Sequence, residues 1–337
     1  MTTGKRTTPI SASLATVAAK AGVSISTVSR IVNGQTRRAS SETVELVRKV
    51  IEDVGYHPNH VGRSLRRRES RLVAMLVANI DNPVMATIAA STEAALRAAG
   101  YVMFLCDTHD RADLQDDYLY AMRSHGVRGY VLVSSVPSPG LKEFADANAP
   151  IVFVSRRNPC GAGAFVGIDN LQAGADLADQ LWSLGATEAA VLHPAQGSSV
   201  TRDRVAGFCD RLQKLGMDPS KIMRSAAPGL SHKDIGYEAA RMVTTGRRWP
   251  QAMMCVSDQI AYGAYRLARE NNISIPEDCR LLSIDGNALN AWLAPWLTSV
   301  RVPHADYGPQ IVELLMNLWG GTGITEKILP HQLAAPV

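Results

Sequence analysis

The 337-residue chain has no uninterrupted apolar run long enough to cross a bilayer, which argues against a helical membrane span. Its first residues, MTTGKRTTPISAS, are polar and lack the apolar core of a secretory signal, so a cytoplasmic protein is expected. Cysteine is sparse. Cys106, Cys160, Cys209, Cys255 and Cys279 stand apart with no CxxC spacing, and three of them lie in apolar strand-like or helical settings, so they read as small buried hydrophobes. There is no HExxH, no P-loop and no GxSxG. The run GAGAFVG from Gly161 to Gly167 misses the dinucleotide fingerprint and reads as a turn before a strand. No catalytic residue, metal or cofactor is therefore expected.

Charge is present but unevenly placed. Of the 35 Lys+Arg and 31 Asp+Glu behind the net +4, residues 1–70 hold 12 and 5, or +7, which leaves 23 and 26, or −3, for the remainder. A basic head on a mildly acidic body suits a phosphate backbone, and Arg63, Arg66, Arg67 and Arg68 cluster just beyond the head. The length and a hydrophobic fraction of 46% fit two or three globular domains.

Within the basic head, LATVAAKAGVSISTVSRIVN from Leu14 to Asn33 predicts two short helices about a tight turn. Ser13 caps the first, Leu14, Val17 and Ala18 form its apolar stripe, and Gly22 stops it. In the second, which begins at Ser24, Val28, Ile31 and Val32 face inward and leave Ile25, Ser26, Ser29 and Arg30 along one exposed edge. Ser40 or Ser41 caps a third helix that buries Val44, Val47, Val50, Ile51 and Val54 and ends at Gly55 and Pro58. Helix, glycine turn, helix is the arrangement that presents a second helix to the DNA major groove.

With VAAKAGVSISTVSRIVNG followed by a third helix and by HPNHVGRSLRRRES, the chain resembles the LacI/GalR (lactose and galactose repressor) family from about Leu14 to its C-terminal region. The resemblance implies DNA contacts by Ile25, Ser26, Thr27, Ser29, Arg30 and Asn33. It also implies a hinge helix and linker over 59–70, in which Asn59, Gly62 and Leu65 meet DNA and Leu65 acts as a minor-groove wedge. Gly62 stands where the family usually has Ala, which weakens that helix by about 1 kcal/mol per copy. Residues 1–12 read as a disordered arm, whose Lys5 and Arg6 either add phosphate contacts or are merely solvated.

From Arg71 onward apolar strands alternate with capped helices, which predicts a parallel sheet covered on both faces, and a second such series starts near Asp169. The expected fold is an N-terminal all-α helix-turn-helix domain (13–58) followed by an α/β periplasmic-binding-protein-like core of two parallel-sheet lobes (71–337). Lobe 1 is placed at 71–168 plus 301–320 and lobe 2 at 169–300 plus 321–337. Polar groups gather in the loops after strands, where ligands of open parallel sheets bind.

By the resemblance, Arg204 in RVAGF takes the place of an effector-clamping Arg, Asp258 in SDQIAYG that of an acceptor for sugar hydroxyls, and Asp285 in SIDG that of a strand-end Asp. Asp285 either holds the cleft's loops or touches ligand, and Arg204 could instead pair with a neighbouring carboxylate. Asn82, Arg156 and Ser198 complete the expected effector site, together with Trp296. Either Trp296 or Trp292 supplies a stacking surface or packs in the core. The chain departs from sugar-binding relatives at Val84 and Met85, where aromatics are frequent, at Ser257 in place of Asn, and at Ser155 in place of Asp. Fewer carboxylates and abundant Arg favour an acidic or phosphorylated sugar-like ligand.

The expected function is a homodimeric, sequence-specific DNA-binding transcriptional repressor acting on a near-palindromic operator. A sugar or sugar-acid-like metabolite bound between the lobes would control it, in a cytoplasmic, nucleoid-associated protein with no membrane partner and no enzymatic turnover. A solute-binding protein of a transport system would share the two-lobed core, but the basic head and the polar N-terminus argue against it.

Overall fold

The computed structural model describes residues 13–32, 34–56, 70–229, 231–323 and 325–334. The expectations for 1–12, Asn33, Asn59, Gly62 and Leu65 lie outside the described residues.

Local side-chain chemistry sets the first three helices. Helix α1 (Leu14–Ala21) starts where Ser13 Oγ accepts from the Thr16 amide at 3.2 Å and Thr16 Oγ1 accepts from the Ser13 amide at 3.4 Å. Such a reciprocal cap stabilises a helix start by about 1 kcal/mol. The helix stops at Gly22, whose φ of +65° is left-handed backbone that suits glycine. Helix α2 (Ile25–Val32) follows Ser24, whose Oγ accepts from the Thr27 amide at 3.1 Å. Helix α3 (Ser41–Asp53) is capped by Ser40, settling the choice between Ser40 and Ser41. Val17, Val28 and Val47 are fully buried, and with Ile31, Val44, Val50 and Tyr56 they form a core belonging to this unit alone.

The chain divides into two compact units, with the boundary between Ser70 and Arg71. In the second unit, β1 (Leu72–Val77), β2 (Val102–Asp107), β3 (Gly129–Val133), β4 (Ile151–Val154) and β5 (Ala164–Gly167) alternate with α4 (Pro83–Ala98), α5 (Ala112–Ser124) and α6 (Pro139–Asp146). The second series runs α7 (Asn170–Ser183), β6 (Ala189–Pro194), α8 (Ser199–Leu215), β7 (Ile222–Ala227), α9 (His232–Thr244), β8 (Ala252–Cys255), α10 (Asp258–Glu270), β9 (Arg280–Asp285), α11 (Asn290–Leu293) and β10 (Thr298–Arg301). The chain closes with α12 (Tyr307–Gly320), β11 (Glu326–Ile328) and β12 (Gln332–Ala334).

Among the described residues these strands form two six-stranded sheets, ordered β11-β5-β4-β3-β1-β2 and β12-β10-β9-β8-β6-β7. All pairings are parallel except β10 with β12. The central strands are covered on both faces, which is why Val73–Val77 and Ala252–Cys255 read as unbroken apolar runs.

The third passage between lobes differs from expectation. Strand β11 pairs with β5 of the first sheet and β12 with β10 of the second, so the chain passes to lobe 2 at 329–331 and not at the expected 320/321 boundary. The cause is the end of α12. Gly321 (φ +72°) turns the chain back along the same lobe, where Lys327 Nζ meets Glu313 Oε1 at 2.7 Å and the Leu329 amide donates to the Gly167 carbonyl at 2.8 Å. One further expectation is corrected: four cysteines are buried, but Cys160 is exposed in the turn before β5.

Helices α7 and α8 touch backbone to backbone. A Cβ on Gly207 would lie 2.0 Å from the Leu171 carbonyl oxygen, and one on Gly174 2.3 Å from that of Arg204. Two glycines are thus required for the approach that sets where Arg204 stands.

Candidate functional site

Helix α2 presents Ile25, 53% exposed, and Ser26 at its N-terminal end, while Thr27, Ser29 and Arg30 are half-buried. Arg30 Nε donates to the Ser26 carbonyl at 3.2 Å, which lays the side chain along the helix edge. Arg30, Gly34, Gln35, Arg37 and Arg38 line one depression. Arg37 and Arg38 are candidate phosphate contacts that the sequence reading passed over, although the paired arginines in NGQTRRASSETV were the available signal.

The second unit contains a cavity of about 450 Å³ between its lobes, lined almost wholly by residues that follow the carboxyl ends of strands. Lobe 1 contributes Asn79 and Asn82 after β1, His109 and Asp110 after β2, Ser134 after β3, and Ser155 and Arg156 after β4. Lobe 2 contributes Gln196 and Ser198 after β6, Ser231 and His232 after β7, Ser257 after β8 and Asp285 at the end of β9. His304 and Tyr307 come from the crossing segment. Backbone strain concentrates in the same place. His109, Asp110, Ser134, Ser155 and Asp285 are non-glycine residues with φ of +51°, +56°, +62°, +64° and +153°, and all five line the cavity. Each such conformation costs about 1–3 kcal/mol and persists where the surrounding fold imposes it, as at ligand sites.

Helix caps hold two of the expected residues. Asn82 Oδ1 accepts from the Val84 amide at 3.0 Å, and Ser198 Oγ accepts from the Thr201 amide at 3.3 Å. Arg156 Nη1 donates to Asp110 Oδ1 at 2.7 Å and to the Ser134 carbonyl at 3.0 Å, so it is anchored on its own lobe. Arg204 is 8% exposed. Its Nε donates to Asn170 Oδ1 at 2.9 Å, and its Nη1 donates to the Val256 carbonyl at 2.6 Å and Asp285 Oδ1 at 3.2 Å. Arg204 therefore combines the two roles weighed for it, since it pairs with a carboxylate and also lines the cavity.

Burial pushes the Asp285 carboxyl up to about 7, outweighing the nearby Arg204 guanidinium, so its pairing with Arg204 weakens as pH falls below neutrality. Burial, reinforced by Arg204, pulls the His304 imidazole down to about 3, and burial with Arg156 lowers His232. The His232 ring lines the cavity with its Nδ1 3.1 Å from Ser257 Oγ.

Two expected effector residues do not line the cavity. Asp258 is 2% exposed, and its carboxylate is already consumed. Oδ1 accepts from Ser283 Oγ at 2.5 Å and Ser299 Oγ at 2.8 Å, and Oδ2 accepts from the Asn287 amide and Asn290 Nδ2, both at 2.8 Å. It organises the turn after β9 and with it Asp285. Trp296 stacks on Tyr265, ring centroids 3.9 Å apart and 13° between planes, so it packs against the core, while Trp292 is 83% exposed. Sequence reasoning missed His109, Asp110, His232, His304 and Tyr307. The first three follow strand ends and were open to the rule that found the others.

Residues 13–59 match the family model described as bacterial regulatory proteins, lacI family, and residues 178–334 match the periplasmic binding protein-like domain. The HTH-type transcriptional regulator DegA of Bacillus subtilis is 29% identical over 300 residues, 87% of each chain. The HTH-type transcriptional repressor PurR of Vibrio parahaemolyticus is 29% identical over 310 residues, 91% of each. In three dimensions the chain is similar to a lac repressor dimer bound to operator and an anti-inducer, with TM-score 0.82 and 22% identity over 96% of this chain and 98% of that one.

Proposed function

The chain belongs to the LacI family of bacterial regulatory proteins and is a DNA-binding transcriptional regulator, and from that premise we propose that it is a repressor whose operator affinity is set by a small polar metabolite bound in the cleft of the second unit. The observation that carries the reading is the joining, in one chain, of a capped helix pair with an exposed polar edge on α2 and a strained, polar cleft at the strand ends of both lobes.

Ile25, Ser26 and Arg30 read base edges, and Thr27, Ser29, Arg37 and Arg38 position the helix on the backbone. Asn33, Asn59, Gly62 and Leu65 join them in this reading, Leu65 as the minor-groove wedge. In the cleft, Arg156 and Arg204 grip the ligand from opposite lobes, Asn82 and Ser198 hold the loops that frame it, and Asp285 tunes Arg204. Asp258 and Trp296 support the scaffold. The protein works as a homodimer, because one short reading helix covers only a half-site, and in this reading it acts on DNA in the cytoplasm, on the nucleoid. Edge strand β2, with Val102, Phe104 and Leu105 58%, 40% and 44% exposed, supplies an apolar surface for that pairing. A solute-binding protein of a transport system would share the cleft but has no use for the basic head.

The test is selection of duplexes from a randomised pool by the full-length protein. A near-palindromic consensus bound by a dimer is expected. Recovery of no consensus above non-specific binding would overturn the reading.

A further inference from the structure

Each lobe brings one guanidinium to the cavity with hydrogen-bonding capacity left over. The Nε and Nη2 groups of Arg156 and the Nη2 group of Arg204 have no partner among the described residues. Against the two arginines stand two carboxylates, Asp110 and Asp285, since the third acidic candidate, Asp258, is sequestered behind the cavity wall by four hydrogen bonds. Asp110 is committed to Arg156 at 2.7 Å, and the Asp285 carboxyl sits near the midpoint of its titration at neutral pH. Between these arginines and carboxylates the excess positive charge is about one or less, too little to match a dianion without strain.

The rest of the lining is hydroxyl and amide. The side chains of Ser134, Ser155, Gln196 and Gln259 line the cavity and have no hydrogen-bond partner among the described residues, which suits a polyhydroxylated molecule. Tyr307, 1% exposed, is the one Phe, Tyr or Trp among the described lining residues, so among them no exposed Phe, Tyr or Trp ring offers a platform for a planar base or a stacked sugar ring.

Resting on the reading of this cleft as an effector site, we propose that its ligand is a polyhydroxylated monocarboxylate, a sugar acid, whose carboxylate bridges Arg156 of lobe 1 and Arg204 of lobe 2. A guanidinium binds a carboxylate through paired, charge-assisted hydrogen bonds, so one anionic group spanning two lobes holds them closed. An uncharged sugar lacks the group that both arginines can share. A phosphate ester carries more charge than the lining balances.

Asp285 gives the proposal a second readout. It faces Arg204 from α8 and Asp258 from α10, and its charge is felt by Tyr262 and Tyr307. Arg301 lies opposite it in register on β10. When ionised, Asp285 competes with a ligand carboxylate for Arg204, so affinity for a sugar acid rises as pH falls from 8 to 6.

The experiment is a melting screen of the full chain with matched pairs at equal millimolar concentration: gluconate and sorbitol, galactonate and galactitol, galacturonate and galactose, glucose 6-phosphate and glucose. At least one carboxylate is expected to raise Tm where its uncharged partner does not. By calorimetry its affinity should rise several-fold between pH 8 and pH 6 and fall at least tenfold in Arg156→Gln. Binding of an uncharged partner as tightly as its acid, binding of the phosphate ester alone, a flat pH profile, or no response to any acid in the panel overturns the proposal. The wider reading fails separately, when a compound that binds the cleft leaves operator affinity unchanged.

Discussion

Replacing Asp258 separates a scaffold role from a ligand-binding one. Its carboxylate, 2% exposed, accepts four hydrogen bonds at 2.5–2.8 Å from Ser283, Ser299, Asn287 and Asn290. In Asp258→Ala the two serine hydroxyls can still pair with each other, since their oxygens are 3.0 Å apart. The Asn287 amide and Asn290 Nδ2 lose their acceptor, and each such donor costs about 1–3 kcal/mol. With the lost side-chain packing the variant should be less stable by about 3–5 kcal/mol. In Asp258→Asn one oxygen remains for Asn287 and Asn290, and the serines can turn to accept from the new amide, so the loss should be roughly half as large. Urea denaturation of both variants measures this directly. A stability within about 1 kcal/mol of wild type for Asp258→Ala, together with loss of ligand response, would refute the argument and return Asp258 to the ligand.

Exchanging Ile25 and Ser26 together should change the consensus recovered from a randomised duplex pool while leaving salt-dependent non-specific affinity nearly unaltered, and an unchanged consensus would remove them from the reading edge. Gly207→Ala places a Cβ 2.0 Å from the Leu171 carbonyl oxygen, so α8 must shift; a cost of about 1–3 kcal/mol and weakened ligand binding through Arg204 are expected, and wild-type values of both would contradict the packing argument. The Asp285 carboxyl is raised from 3.8 to about 7, so its contribution is complete below pH 3.8 and is lost as pH rises through about 7; the His304 ring is lowered from 6.5 to about 3, so its contribution is present above 6.5 and is lost as pH falls. The two oppose each other between pH 6.5 and 5, and Asp285→Asn should expose the His304 loss of about 2 kcal/mol over that interval; a variant as flat as wild type in urea midpoints would contradict the assignment.

What the sequence disclosed follows from the range of the interactions involved. The head was legible because its determinants are local: Ser13 and Ser40 cap within three residues, and the buried positions Val17 and Ala21, Val28 and Ile31, and Val44, Val47 and Val50 recur within each helix at three- or four-residue spacing. The lobes were legible because parallel strands buried on both faces leave continuous apolar runs. Strand β11, sequence EKI, carries no such signature and forms because α12 ends where the chain can lie along β5, so the third crossing was misplaced. The burial of Asp258 was not legible because the groups that consume its carboxylate, Ser283, Asn287, Asn290 and Ser299, are 25 to 41 residues away. The same holds for Trp296, whose partner Tyr265 is fixed only by the packing of α10.

The central claim is that a molecule in the cleft governs affinity for DNA. The direct measurement is fluorescence anisotropy of a duplex selected by this protein, at fixed salt, titrated with the compound that raises its Tm. A ligand shifts a two-state protein only by its differential affinity for the two states, so a change in operator Kd of tenfold or more, with affinity for random DNA unchanged, is expected. An operator Kd that stays constant while the cleft is saturated would contradict the account.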